Sequence, residues 1–229
     1  MATNSDMDTL IFLAAEAKKE DAWLEFSRFC ELRGRGVRAA AMEQLGKFIQ
    51  AAVAWSFEKR LAFSQWALWR SRNFRDDRLV LPHPIREHLI VPTLRMWREA
   101  SPDAPDPHLW LGLLGCDDPS HHLDQALKRD PSCELARQKF TDLIFRDIAY
   151  SQHELPGFYL GRVEDDLKEL EKASELVSGS KAEVWARGAQ RRIAVFRARA
   201  EDWMALRSRA NNVVPFPGMR PGEVPSDGK

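Results

Sequence analysis

SPDAPDPHLWLGLLGCDDPSHHLDQALKRDPSCELAR, residues 101–137, carries three Asp-Pro pairs, Asp106-Pro107, Asp118-Pro119 and Asp130-Pro131, spaced twelve residues apart. An Asp carboxylate accepts from the free amides of a helix's first turn. Proline suits the position after it, where its missing N–H has no intrahelical partner and its fixed φ is already helical. Each pair therefore predicts a helix start, and Gly115 predicts the stop before the second. The stretch reads as short helices joined by tight turns.

Working outward, the N-terminal side predicts a helix capped by Asp6 or Asp8 and running to about Leu32. Its inner positions are Leu10, Leu13, Ala14, Ala17 and Leu24, and Gly34 and Gly36 end it. Residues 37–72 contain no proline and place Leu45, Phe48, Ile49, Ala52, Trp55, Leu61, Trp66 and Leu68 around much of a helix. They form one central helix or two with a bend near Ser56. Residues 73–84 read as a loop, and 85–100 as a helix that kinks or breaks at Pro92.

On the C-terminal side a helix is predicted from Pro131 to about Ser151, with Leu135, Ala136, Phe140, Leu143 and Ile144 inward. An amphipathic helix follows over 161–177, then a last one over 181–210 with a seam of Trp185, Ala189, Ile193, Phe196, Ala200 and Trp203. No stretch sustains the period of two that a strand requires. The expected class is all-α: antiparallel helical hairpins stacked as a short superhelix or packed as an irregular bundle. The expected organisation is a single domain over 1–209 and a disordered or extended tail over 210–229, where proline and glycine concentrate.

The charge balance is 34 basic to 34 acidic residues, which gives no global field for nucleic acid, anionic membrane or acidic substrate. Cys30, Cys116 and Cys133 are scattered, which argues against a disulfide framework or a zinc ribbon. The longest uncharged run, Phe48 to Phe57, is too short to span a bilayer, and no basic, apolar leader opens the chain. A reducing cytoplasm is the expected compartment, with no membrane contact.

Two segments repeat a pattern: Leu123 with Ala126 and Pro131, and Leu170 with Ala173. Trp110 and Gly112 precede the first; Trp185, Gly188 and Ala189 follow the second. These residues resemble the large and small positions of a tetratricopeptide repeat, over roughly residues 103–203. The segments stand 47 residues apart against a repeat period of 34, so the array is degenerate. The resemblance implies an interaction scaffold with a concave groove and names no partner.

Candidate chemistry is sparse. Cys116, Asp117, Asp118, His121 and His122 form the densest cluster of ligand-type residues, and His83, Arg86, Glu87 and His88 a second. A metal or acid–base site would draw on His83, His88, His121 and His122, and no recognised motif organises them. The last helix bears Arg187, Arg191, Arg192, Arg197, Arg199, Arg207 and Arg209, and the acidic 164–175 helix is their expected partner. Trp55, Trp66, Trp69, Trp97 and Trp110 are candidates to line a groove; helical spacing predicts core for most of them, whereas Trp66 and Trp69, three apart beside Arg70 and Arg72, are the expected partly exposed aromatics.

These observations lead to a non-enzymatic scaffold that binds another protein or peptide, with Trp66, Trp69, Arg70, Trp110, Arg191 and Arg192 as candidate contacts, no cofactor, and homodimerisation as an open possibility. A helical-bundle enzyme or metalloprotein is the first alternative. Nucleic-acid binding through the last helix is the second.

Overall fold

The structure is a computed structural model that describes residues 4–211, with side chains described over 6–208. Every regular element among the described residues is helical. Of the 210–229 stretch expected as a disordered or extended tail, residues 210 and 211 close the last helix and 212–229 lie outside the described residues. Contacts divide the chain at the Ala136–Arg137 peptide into two compact units.

The first unit begins with α1 (Asn4–Ala17) and α2 (Leu24–Gly34), joined through a 3-10 turn at Asp21–Trp23. One helix to Leu32 was expected, because no glycine or proline marks the break. The chain turns back at Lys18–Glu20, and the buried Ser27 hydroxyl donates to the Ala14 carbonyl at 2.8 Å, tying the two helices. Leu10, Leu13, Ala14 and Ala17 are buried as their spacing predicts; Leu24, beyond the turn, loses that register and is exposed.

α3 (Arg38–Ala52) and α4 (Phe57–Ser71) resolve the long apolar stretch into two helices, and Ser56 caps the second by accepting from the Lys59 amide. Phe26, Phe48 and Phe63 meet at the centre, with ring centroids 4.7 Å apart for Phe48–Phe63 and 5.0 Å for Phe26–Phe63. Leu79, Val80 and Leu81, from the segment read as a loop, are buried in the same core.

Pro92 does not break its helix. A short α5 (His83–Ile85) passes through a π-helical turn at Arg86–Ile90 into α6 (Val91–Ala100). The Val91 amide reaches back to the Arg86 carbonyl, widening the turn just before the residue that has no N–H to give.

The three Asp-Pro pairs behave differently. α8 (Pro119–Arg129) starts as predicted, with the Asp118 carboxylate accepting from the His121 amide at 3.0 Å. In α7 (Asp106–Leu114), Asp106 is already the first helical residue and caps nothing with its side chain. Asp130 closes α8, its carboxylate accepting from the Ser132 amide and hydroxyl at 2.9 and 2.7 Å. Gly115 ends α7 with φ 73°, a left-handed conformation that glycine adopts without a Cβ penalty.

The second unit starts within α9 (Glu134–Ser151) and continues through α10 (Val163–Ser178) and α11 (Glu183–Asn211). Leu170, Ala173 and Val177 of α10 and Ala189, Ile193, Phe196 and Ala200 of α11 are buried, as the 3/4 spacing predicts. The expected pairing of the α11 arginines with the acidic α10 is not present among the described residues. Arg192 instead lies 3.8 Å from Asp142 on α9, with its guanidinium over the Phe145 ring. The helices face each other along apolar seams, so their charged positions point to solvent or to local partners: Asp165 has Lys168 and Arg162, and Asp166 accepts from the Tyr159 hydroxyl.

Candidate functional site

The first unit carries a run of three concavities connected by shared wall residues. One, of about 640 Å³, is lined by Trp66, Trp69, Arg70, Arg72 and Asn73. Arg72 also lines a second, of about 410 Å³, together with Arg75, Asp76, Asp77, Arg78 and Trp110. Arg78 and Leu114 continue into a third, of about 690 Å³, whose walls include Arg33, Arg38, Arg86, Glu87 and Cys116.

Helix α4 supplies the aromatic end. Trp66 is half-buried against Trp23, 4.8 Å between centroids, and belongs partly to the core. Trp69, one turn on, is 50% exposed. It stands edge-on to the buried Trp110 of α7, with centroids 5.2 Å apart and planes at 87°, the arrangement the ring quadrupoles favour. The Arg72 guanidinium covers its face at 4.9 Å, a cation–π contact. Trp69 is therefore braced on two sides while half of its surface remains open.

The arginines divide into engaged and free. Arg70 pairs with Glu16 at 2.9 Å, and Arg86 pairs with Asp77 at 2.6 Å while donating to the Leu81 carbonyl. Among the described residues Arg33, Arg38, Arg75 and Arg78 make no ion pair. A surface that mixes an open indole with unpaired guanidiniums suits a ligand carrying both apolar and anionic groups.

The structure matches no known protein family, no curated protein and no solved structure. The site's own chemistry therefore carries the functional argument.

The histidine clusters separate. His83 and His88 are exposed on the α5–α6 rod, with His83 Nε2 3.8 Å from Glu87. His122 is buried and its Nδ1 lies 3.1 Å from Nδ1 of His108, a partner in α7 that sequence reading did not single out. Burial, then nearby Arg129, pushes His108 down to about 4; burial and Arg98 also lower His122. Asp117, at φ 48°, accepts from Arg95 through both carboxylate oxygens and sits 3.9 Å from His122 Nε2. Among the described residues no three His, Cys, Asp or Glu side chains gather closely enough to hold a metal ion. Burial raises the Cys30 and Cys116 thiols, which disfavours the nucleophilic thiolate.

Of the six candidate contacts, Trp66, Trp69 and Arg70 line one concavity and Trp110 the next. Arg191 and Arg192 belong to the second unit, both exposed, and Arg192 is engaged by Asp142 and Phe145. Arg33, Arg38, Arg75 and Arg78 were not anticipated, and Arg86 was expected only within the His83–His88 cluster. They come from helix ends and from the 73–84 segment, where no periodicity shows which side chains share a wall. The second unit has a further cleft of about 530 Å³ lined by residues including Gln152, Leu155, Trp203 and Leu206. Among the described residues no helix is long and apolar enough to cross a membrane.

Proposed function

We propose that this chain is a non-enzymatic scaffold, a degenerate tetratricopeptide-like array of helical hairpins, that binds a polypeptide along the tryptophan–arginine band of its first unit. The observation that supports the reading is the continuity of the band: three concavities sharing Arg72, Arg78 and Leu114 run from the open indole of Trp69 to the unpaired Arg33 and Arg38. A polypeptide matches such a surface better than a uniform polyanion does. Asp76 and Asp77 line the middle concavity and Glu87 the third, which interrupts a continuous run of phosphates, whereas a peptide alternates charged and apolar side chains. Exposed Trp and Arg are the residue types that most often dominate binding energy.

The test is selection of the purified full chain against a random peptide library, followed by NMR mapping of the selected peptides. The reading expects resonance changes concentrated at Trp66, Trp69, Arg72 and Arg78. Absence of any enriched peptide, or changes confined to the second unit, contradicts it.

A further inference from the structure

The largest of the three concavities has an electrostatic imbalance. Four arginines line it, Arg33, Arg38, Arg78 and Arg86, from the end of α2, the start of α3, the 3-10 turn at Asp77–Leu79 and the π-helical turn of the α5–α6 rod. Arg86 is already balanced by Asp77 at 2.6 Å. Arg33, Arg38 and Arg78 have no carboxylate partner among the described residues. The lining carboxylate is Glu87, which offsets one of those three charges and leaves two. Cys116, in the same wall, remains a neutral thiol because burial raises its pKa, so it adds no competing negative charge.

Two uncompensated guanidinium charges in one recess match a dianion rather than a single carboxylate. A phosphate monoester carries about −1.5 to −2 at pH 7 and offers three acceptor oxygens for the guanidinium forks. We infer that the Arg33–Arg38–Arg78 cavity receives a phosphate monoester on the bound polypeptide, so that phosphorylation of the partner controls its docking. This rests on the polypeptide-binding reading. The aromatic end at Trp69 then holds an apolar side chain, and the arginine end reads the modification.

The probes are O-phospho-L-serine, L-aspartate and L-serine, titrated into the full chain at low salt while the arginine Nε–Hε NMR cross-peaks are followed. Phosphoserine is expected to shift the cross-peaks of Arg33, Arg38 and Arg78 and to bind about tenfold tighter than aspartate, with serine inert. Combined Arg38→Ala and Arg78→Ala substitutions should weaken phosphoserine binding about tenfold or more, whereas Lys168→Ala, at an exposed cation of the second unit, should leave it unchanged. Both arginines are exposed and make no ion pair, so unaltered thermal unfolding of the double variant confirms that the fold is intact. Equal affinity for aspartate and phosphoserine, or binding that survives in the double variant, overturns the inference. If phosphoserine fails while selected peptides still depend on Trp69, the inference falls and the scaffold reading stands. Phosphoserine binding without any peptide binding also overturns it, by leaving a small-anion site with no polypeptide to carry the phosphate.

Discussion

His108 and His122 face each other across the α7–α8 hairpin with their Nδ1 atoms 3.1 Å apart and both rings buried. The contact requires one Nδ1 to carry a hydrogen and the other a lone pair, so a proton added to the accepting nitrogen destroys it. Burial holds both rings below their ordinary pKa, His108 down to about 4 from 6.5. As the pH falls, the unfolded chain takes up protons before the native one does. Stability from this pair is therefore fully present above the unfolded value and lost as the pH falls from 6.5 toward about 4. Chemical denaturation at those two limits should show His108→Phe with His122→Phe losing about 2–3 kcal/mol less than the native chain. An identical loss in both would show that the imidazoles do not govern acid sensitivity.

The same hairpin closes over a glycine. A Cβ placed on Gly112 would fall 2.6 Å from Leu123 Cγ and 3.2 Å from the Pro119 carbonyl oxygen. Leu123 is fully buried and has nowhere to retreat. Gly112→Ala gains helix propensity but overpacks the interface, for a net loss of about 1–2 kcal/mol. Thermal unfolding reads this directly; a rise in Tm would mean that the hairpin relaxes freely.

Asp118 and Asp106 offer a contrast between two chemically alike positions. Asp118→Ala removes a side-chain cap and should cost about 1 kcal/mol. Asp106 caps nothing with its side chain, and burial together with Asp130 raises its pKa, so Asp106→Ala should be neutral or slightly stabilising in urea denaturation. Equal costs at both positions would restore the simple reading that every Asp-Pro pair is a cap.

Ser64 is fully buried in α4 and its hydroxyl has no hydrogen-bond partner among the described residues. Ser64→Ala removes an unsatisfied polar group and improves helix propensity, so stability should rise by about 1 kcal/mol. A loss of stability would reveal a partner for that hydroxyl.

Much of this architecture was legible in the residues themselves. Leu170, Ala173 and Val177 of α10 and the Ala189–Ala200 seam of α11 announce their buried faces through spacing alone, because helical period and burial are one constraint. Ser56 lay where the long apolar stretch was expected to bend, and it caps α4. The turn after Ala17 was not legible, since tertiary closure of α1 on α2 breaks a segment that contains no helix breaker. The π-helical turn before Pro92 was equally hidden: proline forbids one hydrogen bond, and the core decides whether the helix kinks or widens. At the candidate site, Trp66, Trp69 and Arg70 were legible because they share one helix within two turns. Arg33, Arg38 and Arg78 were not, because only folding brings residues from three separate segments to one wall. The same holds for His108, which no local pattern links to His122.

The central claim is that the band around Trp69 is the recognition surface, and the affinity of a library-selected peptide for the native chain and for Trp69→Ala tests it most directly. Trp69 is 50% exposed, and its loss removes the edge contact to Trp110, the Arg72 guanidinium contact and the buried half of the indole, so the variant should fold with about 2–4 kcal/mol less stability. The account predicts that the variant binds the peptide at least about tenfold more weakly at unchanged stoichiometry. Equal affinity for both chains would contradict it.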